Sequence, residues 1–316
     1  MHAWIHAAYG WSRRVSRRRP PVIAAALVAG AVVIGTTVAV SAEPEQRVVA
    51  AATTVGSTDY VALGSSYAAG PGSPRLVDRG CLRAADNYPH RVAAARGLRL
   101  TDVSCSSATT ANILRTAQRP HAGTPQITAV TATTDLVTIT IGGNDLRYIG
   151  RVADQVCVHR MAAASLASSR STPAGCRTGR VPAPEPSAAD YVDVEQSMVA
   201  IVGAVRARAP RARIIFVDYP PLVDPRAPFC AAVPLTASEI AETTRVHAGL
   251  VAATARAARS SGALLAAAST AGAAHTACSS NPWLWGIDTP SAYHLTPAGK
   301  AGVARQVLDV LRRAEA

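Results

Sequence analysis

One serine, one histidine and one asparagine, spread along most of the chain, have the types and settings needed for acyl transfer. Ser66 lies in Gly64-Ser65-Ser66-Tyr67, directly after the apolar run Tyr60-Val61-Ala62-Leu63. An apolar strand that ends in a small-residue turn leaves a hydroxyl standing at the top of a sheet. Such a hydroxyl is a poor nucleophile until a base takes its proton. His294, in Ser291-Ala292-Tyr293-His294 just ahead of a C-terminal helix pattern, is the candidate base. Asn144, in Ile141-Gly142-Gly143-Asn144-Asp145, follows a second apolar run and can aim an amide donor at the same point. Nucleophile, base and oxyanion donor are the minimum set for acyl transfer. Alone, Ser66 reads as a turn residue and Asn144 as a helix cap; their occurrence together is the signal. His90, His121, His159, His247 and His275 have no motif around them and read as surface or satisfied core residues.

The elements that must carry these residues alternate along the chain. Strands are expected at about 59–63, 99–103, 136–141, 213–217 and 264–268, and helices at 88–96, 111–117, 124–130, 190–209, 236–260 and 297–314. The run Leu136–Ile141 is rich in β-branched residues and ends in glycines. Strands alternating with helices in this rhythm call for a parallel sheet covered on both faces. Ligands then collect at the carboxyl ends of strands, where both Ser66 and Asn144 fall. A segment at about 152–189, rich in alanine, serine and proline, reads as an insertion on the catalytic face. Tyr67, Leu146, Tyr148, Trp283 and Trp285 flank the motifs and are candidates for the wall of an acyl pocket.

In order and spacing these blocks resemble the SGNH (GDSL-type) serine hydrolases, most closely their secreted actinobacterial esterases and lipases. The resemblance runs from about Asp59 to the C-terminus. It implies a three-layer α/β/α doubly wound parallel sheet of about five strands, the flavodoxin-like SGNH hydrolase fold. Ser66 then stands at the family's nucleophile position and His294 at that of the base. The oxyanion donors implied are the N–H of Ser66, the N–H of Ser107 and the side chain of Asn144; Asp145 orients its loop. Three positions depart from the family pattern. Ser65 replaces the aspartate before the nucleophile. Ser107, in Cys105-Ser106-Ser107-Ala108-Thr109-Thr110, stands where a glycine is usual, which requires backbone angles that suit a residue with a Cβ. Ser291 replaces the aspartate that normally orients the imidazole. By resemblance to relatives that work with a Ser–His dyad, the main-chain carbonyl of Ser291 takes that role; Asp288 and Asp218 are the alternative carboxylates.

The ends and the composition bound the rest. Arg13, Arg14, Arg17, Arg18 and Arg19 precede an apolar stretch from Val22 to Val40 and then Ser41-Ala42-Glu43. That pattern describes an export signal over 1–42, cleaved before Glu43. The stretch is also long enough to act as a retained membrane anchor. Ser12-Arg13-Arg14-Val15 carries a twin arginine without the hydrophobic residues expected just after it. Residues 43–58 read as a tether and 59–316 as the hydrolase domain. Loss of the leader lowers the formal charge from +12 to +7, nearly all of it arginine, since Lys300 is the one lysine. No basic run is interleaved with aromatics, so nucleic acid is not an expected partner; the charge reads as a solvated basic surface, with weak attraction to an anionic envelope or membrane surface as the sharper alternative. The six cysteines, Cys81, Cys105, Cys157, Cys176, Cys230 and Cys278, fit three disulfides in an oxidising compartment. The family pattern implies sequential pairing. No C-x-x-C pair or ligand-spaced histidines occur, so neither metal nor cofactor is expected.

The reading is therefore a secreted, monomeric esterase or lipase acting on small-molecule or lipid esters through an acyl-enzyme. A phospholipase or carbohydrate acetylesterase would use the same site. A non-catalytic envelope-binding protein on a degenerate scaffold is the rival from another class, supported by the three serine departures.

Overall fold

The computed structural model describes residues 58–316, apart from 167–175, 177–178, 180 and 228. The leader and nearly all of the tether lie outside the described residues. Five strands, β1 (Asp59–Gly64), β4 (Arg99–Asp102), β5 (Thr134–Thr140), β6 (Arg213–Val217) and β7 (Leu264–Ala266), form one all-parallel sheet in the order β4-β1-β5-β6-β7. Among the sheet strands that order is 2-1-3-4-5, the flavodoxin-like arrangement, whose switch point lies between β1 and β5. β1 and β6 read as nearly continuous buried runs, as strands covered on both faces must. A separate antiparallel hairpin joins β2 (Leu76–Asp78) to β3 (Arg83–Ala84).

Helices α2 (Tyr88–Arg96) and α8 (Pro297–Glu315) pack together, and α3 (Thr110–Leu114), α5 (Ala188–Arg208) and α6 (Ala237–Ser261) form a second group, giving the three layers. Their ends follow from the sequence. α5 and α6 open with capping boxes, Ser187 with Asp190 and Thr236 with Glu239. α8 opens on Thr296, whose side chain accepts from the N–H of Gly299, with Pro297 in the first turn. That start lies two residues after His294, so the helix N-terminus fixes where the histidine loop must arrive. Short helices α1 (Ser66–Ala69) and α7 (Ala268–Ala271) follow β1 and β7.

The segment expected as an insertion has a definite secondary structure, and one expected helix is corrected. The first part of the expected insertion is a 19-residue helix, α4 (Tyr148–Leu166). Its alanines favour helix, and the prolines of the segment begin only at Pro173. Cys157–Cys176 ties this helix to the segment beyond it. The helix expected at 124–130 is a single 3₁₀ turn, Gln126–Ala129. Cys81–Cys105 and Cys230–Cys278 are also formed, so all three pairs match the family pattern.

Candidate active site

β1 and β5 deliver the nucleophile and the asparagine side by side. At Gly64 the two strands are so close that a Cβ would lie 2.5 Å from the carbonyl oxygen of Thr140, and its φ of +147° is open only to glycine. The side-chain amide of Gln126 closes on both main-chain groups of Gly64: Oε1 accepts from N–H at 2.7 Å and Nε2 donates to the carbonyl at 3.0 Å. The next residue's N–H donates to the Thr140 carbonyl at 2.9 Å. Ser66, the first residue of α1, is thus carried by a strand end held on every side. As a first-turn residue its own N–H has no intrahelical acceptor.

His294 comes from the irregular run between α7 and α8. Its Nε2 lies 2.9 Å from Ser66 Oγ. Nδ1 lies 2.9 Å from the carbonyl oxygen of Ala292, so the ring proton sits on Nδ1 and Nε2 is left to accept from the serine. The expected acceptor, Ser291, plays a lesser part. Its carbonyl takes the main-chain N–H of His294 at 3.1 Å and adds a weaker pull on the imidazole. The turn is tight enough that the carbonyl two residues back, not three, meets Nδ1. Desolvation holds the imidazole below its ordinary pKa, against the two carbonyls that raise it.

Neither alternative carboxylate is spent on the histidine. Asp218 accepts from the N–H of Ser269 at 2.7 Å and from its hydroxyl at 2.6 Å, and burial pushes its pKa up to about 6. Asp288 is exposed and pairs with Arg160 of α4. A tyrosine hydroxyl does what no carboxylate does here. Tyr67, beside Ser66, donates at 2.8 Å to the carbonyl of Tyr293, beside His294. Tyr293 sits at φ +64°, a strained setting for a bulky residue, and its carbonyl is held there by that bond. Main-chain pairing of the loop with 283–285 completes the support: Trp285 N–H donates to the His294 carbonyl, and Tyr293 N–H to that of Trp285.

Asn144 donates through Nδ2 to the carbonyl of Ala108 at 2.8 Å, which leaves its second N–H for the cavity. Asp145 accepts from the N–H and hydroxyl of Thr110 and so locks the two loops together, the orienting role expected of it. Ser107 has φ +69°. This left-handed setting explains the glycine usual in the family, and here a side chain bears the strain.

The three groups open onto a cavity of about 340 Å³ whose lining includes Tyr67, Leu82, Ser107, Asn144, Tyr148 and Tyr219. Among the described residues, no Asp, Glu, Lys or Arg lines it. Of the expected wall residues, Tyr67 and Tyr148 are in place. Leu146 is core, Trp283 is buried against α8 and stacked on His275, and neither it nor Trp285 lines the cavity. Tyr219 was not singled out from the sequence, although it ends β6 on the ligand side of the sheet. Its hydroxyl accepts from the N–H of Gly143 at 3.2 Å, lies 3.4 Å from Ser65 Oγ, and its ring packs on Tyr67.

A sequence model of the GDSL-like lipase/acylhydrolase family matches residues 62–301, a span that takes in every one of these groups. The chain belongs to the GDSL-like lipase/acylhydrolase family. Within it, Lipase 2 of Streptomyces coelicolor is 35% identical over 263 residues, covering 80% of this chain and 85% of that protein. A lipase of Streptomyces rimosus is 29% identical, covering 79% and 85%. Among solved structures, the extracellular lipase of Streptomyces rimosus superposes with a TM-score of 0.63 at 27% identity, over 80% of this chain and all of that one. Phospholipase A1 of Streptomyces albidoflavus gives 0.57 at 25% identity, over 81% and 99%. The chain is therefore an ester hydrolase with the SGNH α/β/α fold.

Proposed function

We propose that this hydrolase is an exported esterase or lipase that cleaves uncharged carboxylic esters through an acyl-enzyme on a Ser66–His294 dyad. Ser66 Oγ attacks the ester carbonyl while His294 Nε2 takes its proton. The N–H groups of Ser66 and Ser107 and the free N–H of Asn144 receive the oxyanion. Collapse expels the alcohol, which leaves with the proton from Nε2, and water repeats the sequence to release the acid. The observation that carries this reading is the 2.9 Å contact between Ser66 and His294, with Nδ1 turned to a main-chain carbonyl. A carbonyl fixes the tautomer as a carboxylate does but stabilises the imidazolium less.

A cavity near 340 Å³, lined by no Asp, Glu, Lys or Arg among the described residues, is at the small end of the ~300–1,000 Å³ usual for ligand sites and favours short or medium neutral acyl groups. The likeness to a phospholipase A1 supports a phospholipid as the second reading of the substrate. Export is supported by the basic, apolar and small-residue order of 13–42 and by the likeness to an extracellular lipase. Ser66→Ala is expected to lower turnover of a soluble short-chain chromogenic ester by at least about 10⁴-fold with an unchanged circular dichroism spectrum. Turnover surviving in that variant would remove Ser66 from the mechanism.

A further inference from the structure

The β2–β3 hairpin has an outer face that the fold does not use. In extended backbone alternate residues share a face. Leu76 and Asp78 are half-buried, Arg75 and Val77 alternate with them and are exposed, and Arg79, which opens the turn, is exposed as well. Val77 is 55% exposed. Asp78 is spent inward, on Arg83 at 2.9 Å and on the N–H of Cys81 at 3.0 Å. Neither Arg75 nor Arg79 has an acidic partner within ion-pair distance among the described residues. The exposed positions along 75–79 thus read cation, apolar, cation.

The turn of the same hairpin reaches the catalytic cavity. Leu82 lines the cavity with Ser106 and Ser107 and is still 45% exposed. It is held at φ +51°, a left-handed setting that a leucine rarely takes. An exposed leucine in a strained conformation gives the isolated chain no folding advantage; a partner that covers it would. Cys81–Cys105 and the Arg83 bond to the Ser104 carbonyl at 2.7 Å pin this hairpin to the loop that carries Ser107. Whatever holds the hairpin also holds the cavity mouth.

We propose that Arg75, Val77, Arg79 and Leu82 form a docking patch that seats the cavity mouth on an anionic phospholipid surface. Unpaired guanidinium groups supply the charge complementarity to the lipid phosphates, and the two apolar side chains enter the headgroup boundary between them. The proposal rests on the catalytic reading only for the cavity that the patch presents; docking itself needs no turnover.

The test is flotation with vesicles of phosphatidylcholine containing about one-third phosphatidylglycerol, beside pure phosphatidylcholine vesicles, at low salt and at ~0.5 M salt, where exposed charges are screened. The chain is expected to float with the anionic vesicles alone and to be released by salt. Arg75→Glu with Arg79→Glu is expected to weaken binding at least about tenfold, and Val77→Ser by a smaller factor. Turnover of a soluble short-chain ester by both variants is expected to stay at the parent level, which also reports correct folding. Absence of binding to anionic vesicles at low salt would overturn the proposal. So would undiminished binding of the double variant, which would trace attraction to the chain's overall positive charge. Retention on a soluble polyanion without vesicle binding would overturn it as well. Vesicle binding that follows the patch in a chain lacking all ester turnover would leave the docking surface standing and sink the catalytic reading instead.

Discussion

Ser66 stands on a strand end fixed from every side, whereas His294 hangs in a loop fixed by main-chain carbonyls and one tyrosine hydroxyl. Gly64 lets β1 and β5 close to contact, Gln126 clamps the same residue, and the serine has no freedom left. On the other arm, Tyr293 is strained, Ala292 takes the Nδ1 proton, and Tyr67 reaches across to hold the Tyr293 carbonyl. The two arms are joined by that bond as much as by the dyad itself. On the proposed dyad, the difference teaches that a histidine base does without a carboxylate by having the neighbouring backbone anchored to the helix that carries the serine. The anchor must then bear part of what a carboxylate would otherwise do, namely keep the ring where it can accept the proton.

Three substitutions would break or sharpen this contrast. Asn144→Ala takes a donor from the rigid arm's side of the cavity and is expected to lower kcat by about 10²–10³-fold with little change in KM, measured by steady-state kinetics on a soluble ester. A rise in KM with kcat unchanged would mean that Asn144 only binds the ground state. Tyr67→Phe removes the brace between the arms. Turnover is expected to drop by about tenfold as the imidazole loses its register, and thermal denaturation should show about 1–3 kcal/mol of lost stability from the orphaned Tyr293 carbonyl. Unchanged kcat would show that the loop needs no anchor. Ser107→Gly relieves the left-handed strain near the nucleophile and is expected to raise stability by about 1 kcal/mol, with turnover altered only a few-fold. A destabilised Ser107→Gly protein would show that the serine side chain is itself in use.

The rigid arm was also the legible one. Strand residues with alternating or continuous apolar runs, and glycines where strands crowd, leave their mark in the sequence, so β1, β5, Ser66 and Asn144 could be read in order. β6 was read residue for residue at Arg213–Val217, because a β-branched run followed by Asp218-Tyr219-Pro220 has one physical meaning. The loop arm left only His294 itself. Whether Ser291 or Ala292 meets Nδ1 depends on a turn whose φ values no composition encodes. Nor does any local pattern reveal that Tyr67 bonds to Tyr293, far along the chain. Helix α4 escaped for another reason: its alanine-rich end runs on without a capping signal into the serine- and proline-rich stretch beyond. Tyr219 carried a signal that was available, its place at the carboxyl end of a central strand, although nothing beside it names a role under the nucleophile.

Activation of Ser66 by a carbonyl-held imidazole is tested most directly by the rate at which an organophosphonate ester labels the protein across pH, with the modified residue mapped by mass spectrometry. His294 must be neutral to accept the proton, and desolvation lowers its pKa. The label is therefore expected on Ser66, at a rate that is flat at neutral pH and falls only below the ordinary histidine value of about 6.5. His294→Ala should abolish that labelling. A label on another residue, or labelling of Ser66 that survives His294→Ala at the same rate, would contradict the dyad.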